Sequence, residues 1–145
     1  MMQTQLVDGT DDAVVASGVS DISLAEARRL VALFADVTTS KDVERFLAGF
    51  TDDCVVQFGR FPALRGKQQL RPFVEAMFSP RLKDFVCRKT LRTLSGNVVG
   101  VTWTSDWVDA NSGKRKSGRG FEFWIMHGDR IARWDAAFNS WDAAG

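Results

Sequence analysis

Apolar residues in the first part of the chain recur at helical spacing. Ser23 and Glu26 form a capping box, in which each side chain satisfies a free backbone N–H of the first helical turn. The apolar residues that follow are Ala27, Leu30, Val31 and Phe34. This three-and-four spacing predicts an amphipathic helix that ends near Thr38.

Two more helices and one strand are predicted before residue 80. The second helix is expected to begin at Thr39 or Ser40, and its apolar stripe is Val43, Phe46, Leu47 and Phe50. Residues 54–58 are β-rich, and Gly59 and Pro62 end that strand. Residues 67–78 form the third helix, in which Pro72 predicts a kink or a late start.

The second half of the chain changes to strand patterns. Residues 83–94 alternate weakly, 97–109 are rich in Val, Thr and Trp, and further strands are predicted at 120–126 and 131–141. The tight turn before the last strand is either His127-Gly128 or Gly128-Asp129. Helices that precede an antiparallel sheet predict an α+β fold with the helices on one sheet face. Residues 1–22 are acidic and aperiodic and predict an N-terminal arm before a domain at 23–145.

Composition excludes several classes of function. The 145 residues have a formal charge of +1, so we expect no nucleic-acid or membrane partner. One His and no Tyr exclude chemistry by paired histidines or a phenol. Cys54 and Cys87 form no metal set, and we interpret them as buried free thiols. With no signal peptide evident, a cytoplasmic protein without metal or cofactor is expected.

Three segments together resemble a known family. They are Phe50–Phe58 (FTDDCVVQF), Leu64–Lys67 (LRGK) before a helix, and Gly120–Asn139 (GFEFWIMHGDRIARWDAAFN). Their order and spacing resemble the nuclear transport factor 2-like superfamily, and within it the SnoaL-like, ketosteroid-isomerase-like branch. The resemblance spans roughly residues 25–140.

The resemblance implies a fold but not a reaction. The implied fold is a cone-shaped, curved antiparallel sheet wrapped around three N-terminal helices, also called a cystatin-like α+β barrel. It would enclose a deep apolar pocket for a small apolar molecule. Members of the superfamily often form homodimers through the outer sheet face, and they include isomerases, cyclases, hydrolases and non-catalytic modules.

Several catalytic positions implied by the resemblance carry residues that lack the required chemistry. Phe58 stands where the isomerase branch has its general base, and Phe34 stands where it has a Tyr donor. A phenyl ring neither accepts a proton nor donates a hydrogen bond, which argues against the steroid isomerase mechanism. Ala136 stands where the epoxide-hydrolase branch has an Asp, so that catalytic set is also broken.

Two acids remain as catalytic candidates. Glu122 is either a pocket acid with a raised pKa or, if His127-Gly128 is the turn, a cross-strand partner of Arg133. Asp106 is either a surface residue of the outer sheet face or a pocket acid. Because the two acids lie on neighbouring predicted strands, they could face each other and share a proton.

Strand alternation also predicts the residues of the pocket. Trp134, Ala136 and Phe138 would face the interior. We expect the full pocket to comprise Phe34, Val56, Phe58, Trp124, Trp134, Ala136 and Phe138. The faces of Trp103, Trp107 and Trp124 are not fixed by the pattern, and any that point outward would lie in a dimer interface. The alternative is that the rings fill the cone.

Two functions therefore stay open. The first is a cofactor-free enzyme that does acid/base chemistry on a small hydrophobic molecule, as an isomerase, cyclase or hydrolase-like protein. The second is a non-catalytic ligand-binding or dimeric interaction domain that has lost the catalytic residues.

Overall fold

The computed structural model describes residues 21–144, so nearly all of the predicted arm at 1–22 lies outside the described residues. The described chain forms three helices and a six-stranded sheet. The elements are α1 (Leu24–Thr39), α2 (Val43–Ala48), β1 (Phe50–Phe58), β2 (Leu64–Arg65), α3 (Gly66–Met77), β3 (Leu82–Ser95), β4 (Val98–Asp109), β5 (Arg115–His127) and β6 (Arg130–Asp142).

Local capping fixes where the first helix begins. The Ser23 hydroxyl accepts a hydrogen bond from the Glu26 backbone N–H at 3.1 Å, which is one half of the predicted capping box, while the Glu26 carboxylate accepts from Arg29. The ring of Phe34 lies on the buried face of α1 and packs against Trp124 of β5, with the ring centroids 4.9 Å apart. This contact holds α1 against the inner face of the sheet.

The second helix starts later than its apolar stripe predicts. Lys41 has a left-handed φ of 56°, and the Asp42 side chain then caps α2 by accepting from the Arg45 backbone N–H. The predicted start at Thr39 or Ser40 is therefore wrong, because those residues complete α1 and its C-cap. The third helix begins at Gly66 and runs through Pro72, so it does not start late.

The sheet is curved and its strands follow the order β2-β1-β6-β5-β4-β3. Four of its five strand pairs are antiparallel, as predicted, but β1 and β6 run parallel. A parallel pair is possible here because most of the chain separates the two strands. Register shifts in the β3–β4, β5–β6 and β1–β6 pairs mark bulges, which bend a sheet and increase its twist.

The turn between β5 and β6 decides the register of the site. It falls on Gly128-Asp129, where Gly128 has a φ of 60°, so His127 opposes Arg130. A bulge between Ile125 and Met126 shifts the pairing by one residue, and Glu122 then opposes Ala136. The predicted alternative that pairs Glu122 with Arg133 is wrong, because it needed the turn one residue earlier.

The two faces of the sheet differ in burial. The inner face of β5 and β6 buries Trp124, Met126 and Trp134 against the helices. On the outer face Phe121 and Phe123 are 54% and 53% exposed. In residues 21–144 we find no helix with the length and apolarity that a membrane crossing requires.

Candidate active site

An apolar cavity of about 250 Å³ lies between the concave face of the sheet and the helices. Its floor and walls come from all three helices and five strands, and most of the lining is aromatic or aliphatic. The aromatic lining residues are Phe46, Phe50, Phe58, Phe73, Phe85, Trp103, Trp107, Trp134 and Phe138. A concave, mainly apolar site with few polar groups is the usual form of a small-molecule site.

A buried ion pair is the main polar feature of this cavity. Lys89 Nζ donates to Glu122 Oε1 at 2.6 Å, and the side chains expose 3% and 0% of their surface. Lys89 lies on β3 and Glu122 on β5, so the lysine reaches across β4. Charged groups are costly to bury unless they are paired, which is why these two side chains are found together.

Aromatic rings surround the lysine ammonium. Lys89 Nζ lies 5.6 Å from the centroid of Trp103 and 5.2 Å from that of Trp134. Both distances fall within the range of cation–π attraction. Trp103 takes this position because its indole lies over Gly120, where an added Cβ would meet ring atoms at 2.4 to 2.6 Å.

The pKa of Glu122 reflects opposing effects. Burial raises the pKa of this carboxyl above its ordinary value, and burial outweighs the charge and hydrogen bond of Lys89, which lower it. Within the described residues, Glu122 Oε2 and the indole nitrogens of Trp124 and Trp134 have no hydrogen-bond partner. Burial and the contact with Lys89 therefore act on this carboxyl in opposite directions.

The structure separates the predicted pocket residues into two groups. Val56, Phe58, Trp134 and Phe138 line the cavity, and the Phe58 and Phe138 rings lie 4.8 Å apart. Phe34, Trp124 and Ala136 are instead part of the core beside the cavity. Phe34 is held there because its ring packs directly on Gly49, where a Cβ would approach Phe34 Cζ to 2.2 Å.

Asp106 does not lie in the cavity. Its side chain is 56% exposed, accepts from Arg88 at 3.0 Å and from Ser117 at 2.8 Å, and these contacts lower its pKa. The prediction that Asp106 faces Glu122 is wrong, because Asp106 opposes Ser117 in the register whereas Glu122 opposes Val101. Paired residues point to the same face, so Glu122 shares the face of Val101. Because positions 101 and 106 differ by an odd number, Asp106 points to the opposite face.

The sequence interpretation missed one charged residue of the cavity, Lys89. Phe85, Cys87 and Lys89 alternate along β3 and all line the cavity, as do Trp103 and Trp107 of β4. The available signal was the alternation within segment 83–94. Lys89 lies two and four residues after Cys87 and Phe85, so a strand places all three side chains on the same face. None of Trp103, Trp107 and Trp124 points to the outer face.

The polar groups offer no metal site. Over residues 21–144, no cluster of three or more His, Cys, Asp or Glu side chains is positioned to hold an ion. Cys54 and Cys87 are both buried and free, and burial raises the pKa of each thiol. The charged side chains that line the cavity, Glu122 and Lys89, can transfer protons and form hydrogen bonds.

Residues 27–134 match the sequence model of the SnoaL-like domain. No curated protein sequence matches the chain at a significant level.

Solved structures share the fold at low identity. An epoxide hydrolase/cyclase-like enzyme, SalBIII, described in pyran ring formation of the polyether salinomycin, is 12% identical with a TM-score of 0.70, over 82% of this chain and 97% of that one. An NTF2-like protein of unknown function from Burkholderia pseudomallei K96243 is 14% identical with a TM-score of 0.68, covering 81% and 92%. An LEH-like epoxide hydrolase from M. tuberculosis is 20% identical with a TM-score of 0.61, covering 79% and 84%. At these identities the likeness concerns the fold.

Proposed function

Because the chain belongs to the SnoaL-like domain family, with the NTF2-like fold, we propose that it is a cofactor-free enzyme that binds a small hydrophobic molecule in its aromatic cavity. Glu122 would transfer a proton to or from that molecule. The observation that carries this proposal is the carboxyl of Glu122, buried with Lys89 at a mainly apolar cavity. A buried acid with a perturbed pKa in a cleft is a typical catalytic group.

The reaction class that fits is proton abstraction next to a carbonyl. The Glu122 carboxylate would take a proton from the carbon beside the carbonyl, and the electron pair of that C–H bond would move into an enolate. Return of a proton from the carboxyl to the same or another carbon completes exchange, isomerisation or the first step of a cyclisation. An acid whose pKa lies above the ordinary carboxyl range is better matched to this task near neutral pH.

Isotope exchange tests this chemistry without knowledge of the natural substrate. 1-Indanone in D₂O is incubated with the protein, and deuterium at the carbon next to the carbonyl is followed by NMR. We expect the wild type to accelerate exchange and Glu122→Gln to lose the acceleration, while Arg88→Met keeps it. Arg88 is the neighbour of Lys89 on β3, but its side chain is 63% exposed on the outer side. Exchange that survives in Glu122→Gln would refute the role of Glu122.

A second candidate function is non-catalytic binding. It is favoured by the ion pair itself, since the Glu122 side chain exposes no surface and is already paired with Lys89. Contact between a ligand and this carboxylate requires movement of the neighbouring side chains. Calorimetric binding of 1-indanone by the wild type, with no exchange above the buffer rate, would select this function over the enzyme.

The outer sheet face supports a homodimer. Phe121 and Phe123 expose about half of their surface there, and exposed aromatic patches are typical of interfaces. We expect a dimer by light scattering and a monomer for the double variant Phe121→Asp/Phe123→Asp. Leu24→Asp, at an exposed leucine of α1, is the matched control and should remain a dimer. A dimeric double variant would exclude this face.

The free thiols support a reducing compartment. Cys54 and Cys87 are buried and unpaired, which is common in proteins of the cytoplasm. We therefore infer a cytoplasmic location, which localisation of a tagged full chain would test.

A further inference from the structure

We infer that Lys89 binds an acceptor oxygen of the ligand, and that its pairing with Glu122 restricts the cavity to neutral molecules of one or two rings. This inference rests on the proposed function, because it assigns a ligand class to the same cavity. It adds a role for a residue on β3, whereas the proposed proton transfer is assigned to Glu122 on β5.

The lysine has hydrogen-bonding capacity that the described part of the chain does not use. An ammonium group carries three N–H donors. Among residues 21–144, Lys89 Nζ makes one hydrogen bond, to Glu122, and it also lies over the faces of Trp103 and Trp134. Ring faces satisfy the charge of an ammonium but leave its remaining N–H groups without an oxygen acceptor. A ligand carbonyl or hydroxyl oxygen in the cavity would supply that acceptor, because Lys89 is one of the cavity-lining residues.

The charge balance of the cavity selects against ionic ligands. The charges of Lys89 and Glu122 cancel at 2.6 Å, and the remaining lining is apolar or neutral. A carboxylate ligand would leave one uncompensated negative charge in this environment, and an ammonium ligand would leave one positive charge. Such charges are strongly disfavoured away from water. A neutral ligand with one oxygen adds no charge.

The size of the cavity limits the number of rings. A dry cavity of about 150 Å³ accepts benzene, and this one has about 250 Å³. The difference accommodates a second small ring or a short substituent. Indane, a benzene ring fused to a five-membered ring, is therefore a suitable probe scaffold.

A matched series on the indane scaffold tests the inference by calorimetry. The probes are indane, 1-indanone, 1-indanol, indane-1-carboxylate and 1-aminoindane, titrated into the wild-type protein at pH 7. We expect 1-indanone and 1-indanol to bind at least about tenfold more tightly than indane, as a hydrogen bond to a charged donor would provide. The carboxylate and the ammonium compound should bind more weakly than the ketone.

Substitution of Glu122 should change the preferred charge. Glu122→Gln leaves the Lys89 charge without its partner, so the affinity for indane-1-carboxylate should rise at least about tenfold relative to that for 1-indanone. The double variant Lys89→Met/Glu122→Leu should bind indane and lose the preference for the ketone. The double variant keeps the test available if Glu122→Gln does not fold. Arg88→Met is the control for loss of a positive charge on β3 and should keep the wild-type order of affinities.

The outcomes separate the two proposals. If no probe binds the wild type, the proposed function fails together with this inference. If indane binds as tightly as 1-indanone, or the carboxylate binds best, the ligand-binding function stands and the inference is overturned. If the double variant keeps the preference for the ketone, Lys89 is not the donor and the inference is likewise overturned.

Discussion

The buried pair of Lys89 and Glu122 yields a quantitative prediction about stability. At 2.6 Å the Coulomb attraction is on the order of 6 kcal/mol at an effective dielectric constant of about 20. Removing two ions from water costs several kcal/mol each, so the net contribution of the pair is close to zero. The loss of one partner, however, leaves a buried charge without compensation.

A double-mutant cycle measures this asymmetry. We expect Lys89→Met and Glu122→Leu to lower the free energy of unfolding by about 3–5 kcal/mol each, and the double variant to lie within about 2 kcal/mol of wild type. The assay is urea unfolding at pH 7, followed by circular dichroism and tryptophan fluorescence. The exposed pair of Arg88 and Asp106 on the outer face is the control, with an expected coupling below about 1 kcal/mol.

The pH dependence of the single variant Lys89→Met follows from the same contacts. Without Lys89, two influences that lower the pKa of Glu122 disappear, and burial raises it further above the ordinary value of 4.5. A carboxyl with a raised folded-state pKa stabilises the fold below its unfolded pKa, and this contribution is lost as pH rises through the folded value. The difference in free energy of unfolding between wild type and Lys89→Met should therefore be small near pH 4.5 and grow toward pH 8.

Two results would refute the reasoning about the pair. One is a double variant whose free energy of unfolding falls by the sum of the decreases in the two single variants, because additivity means that the charges do not compensate each other. The other is a Lys89→Met deficit that does not change with pH, because it would mean that Glu122 does not take up a proton when its partner is lost.

Three further predictions concern the surroundings of the cavity. Gly120→Ala should displace the Trp103 indole, lower the free energy of unfolding by about 1–3 kcal/mol and weaken 1-indanone binding; unchanged binding by calorimetry would contradict the close approach seen here. Cys87 lines the cavity and Cys54 does not, so a small methanethiosulfonate reagent should label Cys87 slowly and 1-indanone should protect it; mass spectrometry that finds Cys54 labelled first would oppose this. The Asp109 carboxylate accepts hydrogen bonds from Arg81 and from the turn after β4, and these contacts hold its pKa well below the usual range. Because a lowered pKa gives stability that is lost as pH falls, Asp109→Asn should reduce the melting temperature more at pH 7 than at pH 3. An equal reduction at both pH values would count against this role of Asp109.

The sequence was sufficient for the order and type of the three helices and the five long strands, but it did not predict the two-residue strand β2. Ser23 and Glu26 determine the start of α1 through contacts within one helical turn, and the spacing of Leu30, Val31 and Phe34 reflects the geometry of the helix. These signals are local, so they can be read from one chain. The change to strand patterns after residue 82 is local in the same sense.

The placement of the acids depended on tertiary structure, because the direction of a strand side chain depends on pairing register. The one-residue bulge between Ile125 and Met126 puts Glu122 on the same face as Trp134, and the β4–β5 register puts Asp106 on the opposite one. Lys89 meets Glu122 across an intervening strand, a contact between residues 33 positions apart that no local pattern contains. The sequence left two acids, Asp106 and Glu122, as catalytic candidates, but only the curvature and register of the sheet decided which one is buried with a lysine.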